Sequence, residues 1–221
     1  VKEYKHIKDI VTKELSCSAH NMDHVMRVFN LCKLIADSEA NVDRDVLFIS
    51  ALLHDIARVK ESKDNTGNVD HAVLGSEMAE EILKALNYDD KMIEKVKHCI
   101  VSHRFRSGHI PKTIEAKILF DADKLDAIGA IGIARCFMLA GQFKQKINIQ
   151  EPIEEYIENN VVENGRLKDV SKHSPIIEYE MKFKKIPSRM FTNKGREIAV
   201  KRLSYMEGFF NKLKNESNGL E

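Results

Sequence analysis

The sequence has no tryptophan, four prolines and ten glycines in 221 residues, and only 7% of it is aromatic. So few breakers predict long helices. Lys+Arg 35 against Asp+Glu 34 leaves a net charge of +1. That balance lacks the basic excess of a dedicated nucleic-acid binder, and the few aromatics offer little on which bases can stack, so no stable nucleic-acid partner is expected. No run approaches the roughly 18 apolar residues of a membrane span, so no membrane partner is expected. Val1-Lys2-Glu3-Tyr4-Lys5 carries no apolar signal core. The four cysteines, Cys17, Cys32, Cys99 and Cys136, form no C-x-x-C pair. They read as reduced, half-buried thiols of a cytoplasmic protein. What is present is 43% hydrophobic and 31% charged residues, the composition of a soluble globule of one domain, or one domain with a subdomain.

The apolar period is helical nearly everywhere. Residues 21–37 place Val28, Leu31 and Ile35 on one stripe, and residues 43–58 are apolar almost throughout, as in a buried central helix. Helices are also expected over 71–86, 90–102, 113–129, 130–140, 174–186 and 192–214, with a break around Gly129. Segments 60–70, 104–112, 141–152 and 163–173 read as loops, and no alternating strand is found. The expected fold class is all-α: a helical core over residues 1–140 and a helical C-terminal extension over 141–221 packed on it. Met206, Phe209 and Phe210 in the last helix pack on that core or on a second copy as a homodimer. Burial within the chain is the more ordinary use.

Several polar residues stand where apolar ones belong. His24 shares the stripe of Val28, Leu31 and Ile35. His54 and Asp55 interrupt Leu52-Leu53 and Ile56-Ala57. Asp123 is in register with Ala116, Leu119, Phe120 and Ala127. A carboxylate taken into an apolar interior costs several kcal/mol unless something neutralises it. A divalent cation would pair both aspartates and use neutral imidazoles as ligands. Facing helices of a bundle can build such a site. Taken singly, each residue is more ordinary as a hydrogen-bonded core histidine or a capping aspartate; the set is what points to a metal.

In order, His24, His54-Asp55 and Asp123 resemble the H…HD…D signature of the HD-domain metal-dependent phosphohydrolases. The flanks extend the likeness: HNMDHVMRV (20–28), ALLHDIARVK (51–60), HAVLGSEMAEEIL (71–83), IVSHR (100–104) and EAKILFDADKLDAIGAIGIAR (115–135). NKGREIAVKRLSYMEGFFNKL (193–213) is similar to a small stand-alone branch of that superfamily. The resemblance spans roughly residues 18–213.

The resemblance implies an all-α helical bundle and hydrolysis of a phosphate ester or anhydride by metal-activated water. The substrate it implies is a phosphorylated, nucleotide-like small molecule. It implies one divalent ion (Mn, Fe, Co, Ni, Mg or Zn) on His24, His54, Asp55 and Asp123, with Asp55 and Asp123 also catalytic. Asp121 and Asp126 rival Asp123, but only Asp123 fits the A-D-x-L-x-A context of residues 122–127. His71 and His103 match positions that bind a second ion in two-metal members, so here they are phosphate contacts, second-metal ligands or structural. His20, Arg27 and Lys60 are candidate phosphate contacts, as more weakly are Arg58, Lys124, Arg104, Arg106 and Lys112. Some members carry a glutamate four residues after the first histidine of His-Asp; here that residue is Arg58, which puts an equivalent general base in doubt. A non-catalytic nucleotide- or metal-sensing module and a cyclic-nucleotide phosphodiesterase are the competing readings.

Overall fold

The computed structural model describes residues 4–15, 21–64, 66–104, 108–147, 152–162 and 167–220. His20, Cys17 and Arg106 lie outside them. Among the described residues the protein is all-α, with no strand beyond one isolated bridge between Val161 and Leu167. No single helix among them is long and apolar enough to cross a membrane. The chain divides into two compact units, Val1–Asp123 with Phe191–Gly195, and Lys124–Met190 with Arg196–Glu221.

In the first unit, α1 (Lys5–Glu14), α2 (Met22–Ala36) and α6 (Asp90–Ser102) pack on α3 (Arg44–Leu53), while α5 (His71–Ala85) packs on α6 and on the short α4 (Arg58–Lys63). Helices α2, α3, α5 and α6 each start at a side chain that takes otherwise orphaned N–H groups. Asn21 Oδ1 accepts from Asp23 N and His24 N at 3.1 and 3.2 Å, fixing His24 in the first turn of α2. Asp43, Asp70 and Asp89 cap α3, α5 and α6 through Val46, Ala72 and Met92. Central α3 is the most enclosed element: Val46, Leu47, Ile49, Ala51, Leu52 and Leu53 are buried.

The expected helix over 43–58 stops at Leu53 and resumes at Arg58. The His54 ring donates from Nδ1 to Ala51 O at 2.9 Å, on the carbonyl that the next helical turn would use. Tighter bonds follow, Ile56 N to Leu53 O at 3.1 Å and Arg58 N to Asp55 O at 2.8 Å. His54 and Asp55 therefore sit in a buried turn rather than in mid-helix. The expected loop at 60–70 is correspondingly shorter, because α4 takes its first residues. Helices α1 and α9 (Ile153–Asn160) were not expected from the period, and the helix expected over 174–186 is a short α10 (Pro175–Met181) followed by single-turn helices.

Helix α7 (Ile114–Asp126) ends the first unit at Asp123 and enters the second. Within the first unit, buried Asp121 accepts from Phe191 N, Thr192 N and Thr192 Oγ1 at 2.9, 2.8 and 2.7 Å. These bonds hold the start of α11 (Asn193–Ser217). In the second unit, α8 (Gly129–Gln142) begins at Gly129, whose φ of 80° suits glycine, and α8 packs on α10. Arg135 pairs with Asp126 at 2.6 Å and Arg202 donates to Leu125 O at 2.5 Å. Met206 and Phe210 are buried, Phe210 stacks on Tyr179 with ring centroids 4.6 Å apart, and Phe209 meets Phe137. A buried chain of hydrogen bonds runs from Asn160 to Tyr156 Oη (2.7 Å), on to His173 Nδ1 (2.8 Å), and from His173 Nε2 to Glu178 (3.1 Å).

Candidate metal centre

The first unit brings together His24, His54, Asp55, His71, His103 and Asp123. His24 Nε2 lies 3.5 Å from Asp55 Oδ2 and 3.5 Å from Asp123 Oδ1. His54 Nε2 lies 3.3 Å from His24 Nε2, 3.8 Å from Asp55 Oδ2 and 4.0 Å from Asp123 Oδ1. On the other side of the same carboxylate, His71 Nε2 and His103 Nε2 lie 3.5 and 3.7 Å from Asp55 Oδ1, and 3.3 Å from each other. Asp55 thus belongs to two donor sets, His24–His54–Asp55 and Asp55–His71–His103, and both are buried.

Protons on the ring nitrogens say what these sets can hold. His54 Nδ1 and His103 Nδ1 each donate to the carbonyl three residues back, Ala51 O at 2.9 Å and Ile100 O at 2.5 Å. Helix α6 ends at His103 much as α3 ends at His54. His71 Nδ1 lies 3.0 Å from Glu61 Oε2, an acceptor only. When the His54 and His103 rings are neutral, and when Glu61 takes the Nδ1 proton of His71, the Nε2 facing Asp55 carries a lone pair. Burial pushes the His54 imidazole down to about 4 against the pull of Asp55, and burial likewise lowers His71 against its bond to Glu61. Facing lone pairs at 3.3 Å beside two carboxylates make a set that a cation satisfies. Ligand atoms on one ion with bonds of about 2.1 Å sit roughly 3.0–3.4 Å apart, close to these separations. The donor set therefore fits a divalent ion in each half.

A third acidic group, Glu61 with Asp70 and His71, is also close enough to share an ion. Guanidinium groups already occupy it: Arg58 lies 2.6 Å from Glu61, and Arg104 lies 3.0 Å from Glu61 and 2.8 Å from Asp70. Burial opposes ionisation of Glu61, but His71, Arg58 and Arg104 outweigh it and bring the carboxyl to about 2. Burial equally opposes the charge on Arg58, yet Asp55, Glu61 and Asp123 hold it protonated.

Of the other residues singled out in the sequence, Arg27 is half-buried one turn after His24, and Lys60 is exposed on α4. Asp121 and Asp126 are engaged away from the centre, by Phe191 and Thr192 and by Arg135 respectively. Glu61 was not foreseen. Its contact with His71 crosses the loop between α4 and α5, and no spacing rule reports such a contact.

Residues 21–128 match the family model of the HD domain. The Bacillus subtilis protein YpgQ is 29% identical over 219 residues, 97% of this chain and 92% of that one. Its crystal structure in complex with ADP aligns with a TM-score of 0.72 at 26% identity, over 98% of this chain and 99% of that one. An HD-superfamily hydrolase from Bacillus thuringiensis aligns with a TM-score of 0.70 at 26% identity, over 98% and 95% of the two chains. The 3'-5' exoribonuclease YhaM of Bacillus velezensis is 38% identical over 116 residues, 47% of this chain but only 37% of that protein. The histidines and aspartates gathered around Asp55 thus lie within the stretch that matches the HD domain, and nearly the whole chain is similar to an HD-superfamily hydrolase of known structure.

Proposed function

We propose that this chain is a metal-dependent phosphohydrolase that cleaves a phosphate ester or anhydride of a nucleotide-like small molecule. The observation that carries the reading is Asp55, whose two carboxylate oxygens each face a separate pair of imidazole nitrogens. His24, His54, Asp55 and Asp123 would hold one divalent ion, and Asp55, His71 and His103 a second. Ions held there supply Lewis acidity toward a phosphoryl oxygen and lower the pKa of bound water. The protein's own part is to keep His54 and His71 neutral by burial, to orient the rings of His54, His103 and His71 through Ala51, Ile100 and Glu61, and to hold the carboxylates of Asp55 and Asp123 beside them. Oxygen and imidazole donors without a thiolate suit Mn, Fe, Co, Ni, Mg or Zn.

Half-buried Arg27, one turn beyond His24, and exposed Lys60 on α4 are assigned to the phosphates of the substrate. The nucleotide class is supported by the likeness to YpgQ, whose structure was solved with ADP. A second reading, cleavage of a phosphodiester at an RNA 3' end, draws on the 38% identity with the YhaM exoribonuclease. The test is a screen of nucleoside mono-, di- and triphosphates, cyclic nucleotides and a short RNA, with Mn²⁺ or with a chelator. Release of phosphate or pyrophosphate from nucleotides, abolished by chelator and by Asp55→Ala, is expected. Shortening of the RNA alone favours the second reading, and nucleotide binding without turnover marks a sensor. Turnover that survives the chelator overturns the mechanism.

A further inference from the structure

We propose that Glu61 is the positioning residue that sets the tautomer of His71 against the competing donor Arg58, and so completes the second half of the metal centre. The metal consequence rests on the two-ion reading above; the tautomer does not.

The argument starts from where each histidine stands. His54 and His103 close helices, so the carbonyls of their own last turns take Nδ1–H. His71 opens α5 and has no preceding turn of that helix behind it. Its Nδ1 must find a partner elsewhere, and two are within reach. Arg58 Nη1 lies 2.9 Å away and Glu61 Oε2 lies 3.0 Å away. They demand opposite things of the ring. A guanidinium only donates, so facing it Nδ1 must offer a lone pair, and the single proton of the neutral ring moves to Nε2. A carboxylate only accepts, so facing it Nδ1 keeps the proton and Nε2 keeps the lone pair.

Nε2 is the atom 3.5 Å from Asp55 Oδ1 and 3.3 Å from His103 Nε2. Only the Glu61 partnership leaves it able to bind an ion. The carboxylate also diverts the competing donor, because Arg58 Nη1 lies 2.6 Å from the same Oε2. The other oxygen, Oε1, takes Arg104 at 3.0 Å and the His71 backbone N–H at 3.4 Å. Glu61 is therefore held at both oxygens and grips His71 at ring and backbone alike. Arg58 stands where some members of the superfamily carry a glutamate. The carboxylate that governs this half of the site comes instead from Glu61, three residues further along α4.

The test has two parts, both on the full chain. Long-range ¹H–¹⁵N NMR of the metal-free protein reads the His71 tautomer directly. Wild type is expected as Nδ1–H and Glu61→Ala as Nε2–H; Nε2–H in the wild type overturns the proposal even if the variant does not fold. Calorimetric titration with Mn²⁺ then counts ions. Wild type should bind two equivalents and His71→Ala one. Glu61→Ala should weaken the second by about 10- to 100-fold. Arg58→Met added to Glu61→Ala removes the donor that forces the wrong tautomer and should recover at least part of that loss, which a scaffolding role for Glu61 would not produce. A Glu61→Ala protein with wild-type affinity for both ions, or a double variant no better than the single one, overturns the proposal. If wild type binds one ion and His71→Ala changes nothing, the two-ion reading fails while the NMR result still decides the tautomer.

Discussion

Three aspartates within six residues of α7 face three different partners. Asp121 serves Phe191 and Thr192, Asp123 faces His24 and His54, and Asp126 pairs with Arg135. Their variants should separate accordingly. Asp121→Ala leaves two backbone N–H groups and a hydroxyl without their acceptor in a buried place, and should cost about 2–4 kcal/mol in urea unfolding of the metal-free protein. Asp123→Ala removes a charge from beside Asp55, so the metal-free protein should be as stable as wild type or more so, while metal affinity falls. A loss of metal-free stability in Asp123→Ala equal to that in Asp121→Ala would contradict this division of labour. The nearness of four residues of the centre was legible: resemblance to the family's A-D-x-L-x-A context singled out Asp123, the apolar stripes singled out His24, His54 and Asp55, and the structure brings the four together. Glu61 was not, because its role depends on a loop folding back and on the ring chemistry of a residue ten positions away.

The helices themselves were legible wherever an apolar stripe was long, as in α2, α5, α6 and α8. Their ends were not, because a side chain decides them. Leu53 would continue α3 by propensity, but the His54 ring takes the carbonyl of Ala51, and one bond both ends the helix and fixes the tautomer. The short α9 escaped the period, and α10 is shorter than the helix expected over 174–186; a hydrogen-bonded network through Asn160, Tyr156, His173 and Glu178 holds both. Burial opposes ionisation of Glu178 on α10, yet Lys182 and His173 outweigh it and hold the carboxyl at about 2, against 4.5 for the free group. A carboxyl depressed on folding stabilises the native state fully above its unfolded pKa, and the contribution disappears as pH falls toward the folded value. Glu178→Gln should therefore be less stable than wild type near neutrality, with the gap closing as pH falls from about 5 to about 2. Denaturant unfolding at several pH values checks this; a gap that widens toward acid contradicts it.

At the scale of the whole chain, composition and net charge leave its organisation open. That residues Phe191–Gly195 return to the first unit is a long-range fact carried by Asp121, and no local pattern announces it. The same scale is where metal binding becomes stability. An ion bound only by the native chain stabilises it by RT ln(1 + [L]/Kd), about 2.7 kcal/mol when free metal is at 100 times Kd. For a chain of this size that corresponds to a rise in Tm of about 5–10 °C for one ion. Mn²⁺ should thus raise the melting temperature of the wild type and a chelator should reverse the rise. His71→Ala should keep part of the shift, because His24, His54, Asp55 and Asp123 remain. Asp55→Ala should show none, since its carboxylate is common to both donor sets. A full Mn²⁺ shift in Asp55→Ala would mean that the stabilising ion binds elsewhere, and the two halves would then have to be explained without a shared carboxylate between them.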